Sequence, residues 1–142
     1  MVAFLALGVS LSVREKAGQL ILVVDDVEEV RDCIERLLKT DGYRVETVQS
    51  EEHAVESARR RPPQLALMNL DGPADGVVGA ARRLRERAPL DPAIPIVVFC
   101  CDSVAEGAEV DFGGNVYVTR PDNFNQLRVF MRRLLQGAPT QS

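Results

Sequence analysis

The chain has 142 residues, with 17 basic side chains against 21 acidic ones and a formal net charge of −4. That length fits one compact domain of ordinary size, and a regulator carrying a separate DNA-binding module would need roughly 70 residues more. The acid excess weighs against nucleic-acid binding, whose footprint is a basic patch or stripe, and apolar residues at 46% exclude a disordered chain.

After residue 19 short apolar runs alternate with amphipathic stretches. Leu20–Val24 is a continuous run rich in β-branched residues, the pattern of a strand buried on both faces. From Asp26 to Thr40, Val27, Val30, Ile34, Leu37 and Leu38 recur at helical spacing, and Asp41-Gly42 ends the helix. Residues 43–48 read as a second strand. Ser50 is placed to N-cap a second helix that runs to about Arg60 and is stopped by Pro62-Pro63. A third strand covers 65–69, a turn-rich loop 71–76, and a third helix 77–87. Residues 94–100 give a fourth strand and 103–110 a weak fourth helix broken at Gly107. A short fifth strand follows at 116–118, then a closing helix from Asn123 to Gln136 with Phe124, Leu127, Phe130, Met131 and Leu134 on one face.

Five strands alternating with five helices imply right-handed βαβ crossovers and a parallel sheet covered on both faces. In such sheets the functional crevice lies at the carboxyl ends of the strands. The residues there are Asp25-Asp26, Asn69, Cys100-Cys101 and Thr119-Arg120-Pro121. Two adjacent acids after a buried strand are costly to desolvate together, and a hard cation with oxygen ligands is their usual justification. Asp26 alone is also explained as an N-cap of the first helix.

Leu22-Val-Val-Asp-Asp26, Pro63-Gln-Leu-Ala-Leu-Met-Asn-Leu70 with Pro73 and Asp75-Gly76, Ile94-Pro95, and Tyr117-Val-Thr-Arg-Pro121 occur in the order and spacing of a known family. Over residues 19 to 137 the chain resembles the receiver domains of two-component response regulators. The resemblance implies a flavodoxin-like (βα)5 α/β fold, doubly wound, with a five-stranded parallel sheet in the order 2-1-3-4-5. Residues 1–18 stand outside it as an N-terminal arm and 138–142 as a tail.

In that family the acid pair holds Mg²⁺, a third carboxylate accepts a phosphoryl group from a histidine kinase, and a hydroxyl and a lysine contact the phosphate. By position, Asp25 and Asp26 match the acid pair, Tyr117 the switch aromatic on strand five, and Pro121 the proline after the lysine. Three positions depart: Asn69 stands at the acceptor, Cys100 at the hydroxyl and Arg120 at the lysine. An amide is not a nucleophile of carboxylate type. It also removes one charge, so Asp25 and Asp26 should bind Mg²⁺ only weakly, with no other cofactor implied. Cys100 offers a weak S–H donor. Arg120 is a planar fork suited to pairing with Asp25 or Asp26 in the space a metal would take.

The expectation is therefore a stand-alone pseudo-receiver in bacterial signalling, without enzymatic activity of its own. It would work by contact with another signalling protein (a kinase, phosphotransfer or output protein), through the face formed by the fourth helix, fifth strand and fifth helix. Homodimerisation stays open, and neither nucleic acid nor membrane is expected as a partner. Asp102, Glu106, Glu109 and Asp111 make that region acidic, which favours a basic protein partner. One alternative is an active phosphoacceptor using an unusual acid, such as Asp71. Another is an enzyme using Cys100 or Cys101 as nucleophile, although no Lys or His stands nearby in sequence to activate the thiol.

Three cysteines, two of them adjacent and none in a CxxC pair, suit a reducing compartment, and the single histidine, His53, excludes a His-rich metal site. The apolar opening Met1–Val9 lacks the basic flank of a signal peptide, and no run reaches the ~18 residues that span a bilayer. A cytoplasmic location is expected. The arginines at 59–61 and at 82, 83, 85 and 87 read as solvated helix faces beside acids.

Overall fold

The computed structural model describes residues 18–70, 72–99, 102 and 104–136. The elements are β1 (Leu20–Val24), α1 (Glu28–Thr40), β2 (Arg44–Val48), α2 (Glu51–Arg60), β3 (Leu65–Asn69), α3 (Ala74–Arg87), β4 (Ile96–Phe99), β5 (Glu109–Asp111), β6 (Val116–Thr119) and α4 (Phe124–Leu135). They form one six-stranded sheet in the order β2-β1-β3-β4-β6-β5. The first five strands in that order are parallel, as expected from the βαβ alternation.

Each central strand buries alternate side chains on opposite faces. Leu22, Val24, Met68, Val98 and Val118 pack under α2 and α3 through Ala54, Val55, Ala58, Val78, Ala81 and Leu84. On the other face Ile21, Val23, Leu67, Val97 and Phe99 meet Ile34 and Leu38 of α1 and Leu127, Phe130 and Met131 of α4. This two-sided burial is why the strands read as unbroken apolar runs. The helices begin close to where their caps predict: Ser50 Oγ accepts the His53 N–H, and Asn123 Oδ1 accepts the Gln126 N–H. α3 starts earlier than expected, at Ala74, with Pro73 as its extended N-cap, so Asp75 and Gly76 belong to its first turn and not to the loop.

The fourth predicted helix does not form. Its described residues turn at 105–108, where Ala108 N–H donates to Ala105 O (3.0 Å) and Gly107 takes φ +83°. They then enter β5, antiparallel to β6 with Val110 opposite Val118. The sheet is therefore six-stranded and mixed, with four helices of the lengths above among the described residues, and the expected five-strand order 2-1-3-4-5 gains an antiparallel edge. The cause is local. Gly113, Gly114 and Asn115 all take positive φ (86°, 65°, 63°), which turns the chain back on itself and makes a hairpin. Asp111 Oδ1 accepts the Gly113 N–H at 2.8 Å and holds the turn, while Thr119 Oγ1 of β6 donates to Ala108 O, just ahead of β5, at 2.8 Å.

The arginines of α3 make specific bonds in place of a merely solvated face. Arg83 and Arg87 reach Glu51 and Glu52 of α2, while Arg82 donates to Phe112 O (2.8 Å) and Arg85 to Asn115 O (3.2 Å), which holds the hairpin turn against α3. Among the described residues no helix is long and apolar enough to cross a membrane. Most of the 1–18 arm and the whole 138–142 tail lie outside the described residues.

Candidate functional site

The carboxyl ends of β1 and β3 open into a cleft of about 320 Å³ lined by Asp25, Asp26, Gln49, Ser50, Glu51, Asn69 and Leu70, with Val24, Met68 and Ala80 forming its apolar floor. β1 delivers Asp25 because its N–H continues the parallel ladder, donating to Val48 O at 3.1 Å. Asp25 is 1% exposed, so its charge needs partners. Oδ1 accepts the Val27 N–H (2.9 Å) and Oδ2 accepts Asn69 Nδ2–H (2.8 Å), while its carbonyl takes Arg31 Nη1–H (2.8 Å).

Two expectations change here. Asp26 does not cap α1: the N-cap residue is Val27, without a side-chain cap bond, and it is the Asp25 carboxylate that satisfies the Val27 N–H. Arg120 forms no ion pair with Asp25 or Asp26. Its N–H and C=O are both committed to the hairpin, to Ala108 O (3.2 Å) and from Gly107 N–H (2.5 Å), and its Nη1 lies 3.5 Å from Val104 O. Antiparallel pairing of this backbone with residues 107–108 carries the Arg120 side chain toward the β4–β5 connection, and Asn69, 44 residues from Asp25, takes the place expected of it. Asp26 is exposed and bonds to no other described residue.

Tyr117 sits in β6 with its ring edge-on to Phe130 (centroids 5.6 Å, 87°) and its hydroxyl donating to Asn115 Oδ1 at 2.9 Å. Burial, and secondarily the Asp111 carboxylate, push its phenol above the usual tyrosine range. Pro121 is half-buried just after β6. Cys100, Cys101 and Asp71 lie outside the described residues. The sequence reading missed Arg31, whose bond to the Asp25 carbonyl has no motif to announce it, and Gln49-Ser50, which the β2–α2 turn brings to the cleft rim.

The residues present do not fit a tightly held Mg²⁺. Both Asp25 oxygens are already accepting N–H groups, Asn69 turns a donor toward them and adds no charge, and among the described residues no group of three His, Cys, Asp or Glu converges. One exposed carboxylate, Asp26, is left facing solvent.

The family model of the response regulator receiver domain matches residues 21–132. Among curated relatives, the response regulator MprA of Mycobacterium sp. (strain KMS) is 32% identical over 118 residues, covering 82% of this chain and 50% of its own length. The probable transcriptional regulatory protein TcrX of Mycobacterium tuberculosis is 25% identical over 82% of this chain and 49% of its own. The chain thus spans about half the length of the curated relatives it matches. The receiver domain of the sensor histidine kinase PA1611 of Pseudomonas aeruginosa PAO1, solved with magnesium in its active-site cleft, superposes with a TM-score of 0.62 at 28% identity, over 84% of this chain and 98% of that one. A putative response regulator of Chloroflexus aurantiacus shares the fold, with a TM-score of 0.66 at 21% identity over 83% and 98% of the two chains. With the parallel sheet described above and the family model matching from β1 into α4, this chain belongs to the response regulator receiver domains, signalling modules of two-component systems.

Proposed function

We propose that the chain is a pseudo-receiver, a receiver domain that signals through protein contact without an aspartyl phosphate at residue 69. The observation that supports this is the Asn69–Asp25 hydrogen bond. A receiver working by phosphoryl transfer needs a carboxylate nucleophile at the end of β3, and here that position supplies an amide that donates to the buried acid and neutralises the need for a cation. Mg²⁺ binding at Asp25 and Asp26 is correspondingly weak.

The output surface under this reading is the face made by β5, β6 and α4, where the expected fourth helix is replaced by the hairpin. Asp102, Glu106 and Asp111 are exposed there, and Arg133 Nη2 of α4 pairs with Glu109 at 2.8 Å. The acids select a partner signalling protein with a basic surface and steer its approach.

Incubation with acetyl phosphate and Mg²⁺, followed by intact-mass measurement, tests the reading. The expected result is an unchanged mass. A stable gain of one phosphoryl group mapped to Asp25, Asp26, Asn69 or Asp71 overturns it.

A further inference from the structure

The carboxyl-end rim of the sheet carries a second cavity, beside the acid cleft and outside edge strand β2. It measures about 290 Å³ and is lined by Arg31, Thr47, Val48, Gln49, His53, Glu56, Ser57 and Arg60. α1 and α2 lie on opposite faces of the sheet, so only beyond the edge of β2 can Arg31 and Arg60 line one space.

We propose that this cavity binds a small phosphate-bearing anion, either free phosphate or the phosphate monoester of a nucleotide. Three observations carry the assignment. First, the charge facing the cavity is basic. Arg31 and Arg60 stand against Glu56, with the His53 ring beside them. Arg31 uses one nitrogen on the Asp25 carbonyl and has no carboxylate partner among the described residues, which leaves most of its fork for a planar two-point grip on oxygen. Arg60 is shared, at 3.3 Å, with Glu46.

Second, the Ser57 side chain is a buried donor without a partner among the described residues. The residue is 3% exposed, yet its hydroxyl makes no hydrogen bond with any described residue. A buried hydroxyl left unpaired is costly, and a ligand oxygen in the cavity satisfies it. Third, the edge of β2 contributes main-chain donors. Val48 directs its carbonyl to β1, where Asp25 N–H bonds to it. Neighbouring residues in a strand alternate, so the Thr47 N–H projects to the open edge, on the cavity side.

The cavity shares Gln49 with the acid cleft, and Arg31 touches the Asp25 carbonyl. Occupancy therefore bears directly on the loop that carries the acid pair. That the anion acts as an input signal rests on the pseudo-receiver reading above, whereas the binding site itself does not.

The test is an amide NMR titration of the full chain with inorganic phosphate and, separately, adenosine monophosphate, at constant ionic strength set with sodium chloride. The expected result is saturable shifts at Thr47, Gln49 and Ser57. Binding should be about tenfold weaker in Arg31→Gln and in Ser57→Ala, the loss of one hydrogen bond to a charged group. Arg133→Gln, on the far β5–α4 face, should leave it unchanged. Saturation by phosphate alone assigns a pocket for the free anion, and saturation by both assigns recognition of the monoester group. Shifts that rise linearly with concentration, or affinities equal in all variants, overturn the site. Ser57→Ala removes only an unpaired hydroxyl, so its fold is retained and the comparison holds even if Arg31→Gln unfolds. A phosphoryl gain in the acetyl phosphate experiment would remove the input role while leaving the binding result standing.

Discussion

Asn69 differs from an aspartate by one charge and two N–H donors, and the structure uses both differences. An aspartate there would set a second carboxylate against Asp25, with no proton between the facing oxygens. Asn69→Asp should therefore destabilise the metal-free domain by about 1–3 kcal/mol, the range for stripping a buried polar group of its partner. Added Mg²⁺ should recover part of that loss, because the third carboxylate completes an oxygen donor set. Urea unfolding of both proteins with and without Mg²⁺ gives the comparison. A variant as stable as the parent without metal would show that the Asn69–Asp25 bond contributes little. Which of these residues meet was only partly legible. Asp25 announced itself by following a buried strand and Asn69 by ending one. Their bond was hidden because parallel register, not sequence distance, sets which strand ends are neighbours, and the expected Arg120 pairing failed because its backbone is tied to residues 107–108 ahead of β5.

At the scale of elements, β1 to α3 and the closing helix are legible because each carries an unambiguous period, reinforced by side-chain caps at Ser50 and Asn123. The segment from 103 to 110 is not, because Glu106 and Glu109 at helical spacing compete with a weaker signal of the opposite kind. Glu109-Val-Asp111 alternates polar and apolar, and Gly113-Gly114-Asn115 then precedes Val116-Tyr-Val118, which together are a hairpin pattern. Tertiary bonds decide the outcome: Arg82 and Arg85 of α3 bind the turn carbonyls, and Thr119 pins Ala108. Gly107 is the hinge of this arrangement. Its φ of +83° strains any side chain, and a Cβ there would lie 3.3 Å from Asp122 Oδ2. Gly107→Ala should cost about 1–2 kcal/mol. Hydrogen exchange should show faster opening of Val110 and Phe112, with the central strands falling only as far as global stability falls. Equal protection in the variant would mean that the turn does not hold β5 in place.

For the whole molecule, charge and pH set the stability window from both ends. On the acid side, hydrogen bonds from Arg83, followed by its charge and by Arg87, hold the Glu51 carboxyl below the usual glutamate value of 4.5 against the opposing effect of burial. A lowered folded-state value means that the α2–α3 pairing contributes fully above 4.5 and is lost as the pH falls through the folded value. On the alkaline side, burial raises Tyr43 and Tyr117 above 10.0. The unfolded chain then releases its phenolic protons first, so stability is fully present below pH 10.0 and declines as the pH rises through the folded values. Tyr43 is the sharper probe. It is 7% exposed between α1 and α4, where Arg132 and Arg128 oppose the burial effect and Asp41 reinforces it. Its hydroxyl bonds to no described residue, so Tyr43→Phe keeps the ring's packing and removes only the ionisation. The urea midpoint of the parent should fall between about pH 9 and about pH 11.5, across and above the free tyrosine value, and the variant should fall less steeply over the same span. At neutral pH the two should unfold within about 1 kcal/mol of each other. Parallel curves throughout would assign the alkaline loss to Tyr117 or to the arginine network, and Tyr117→Phe in the same buffers separates those two sources.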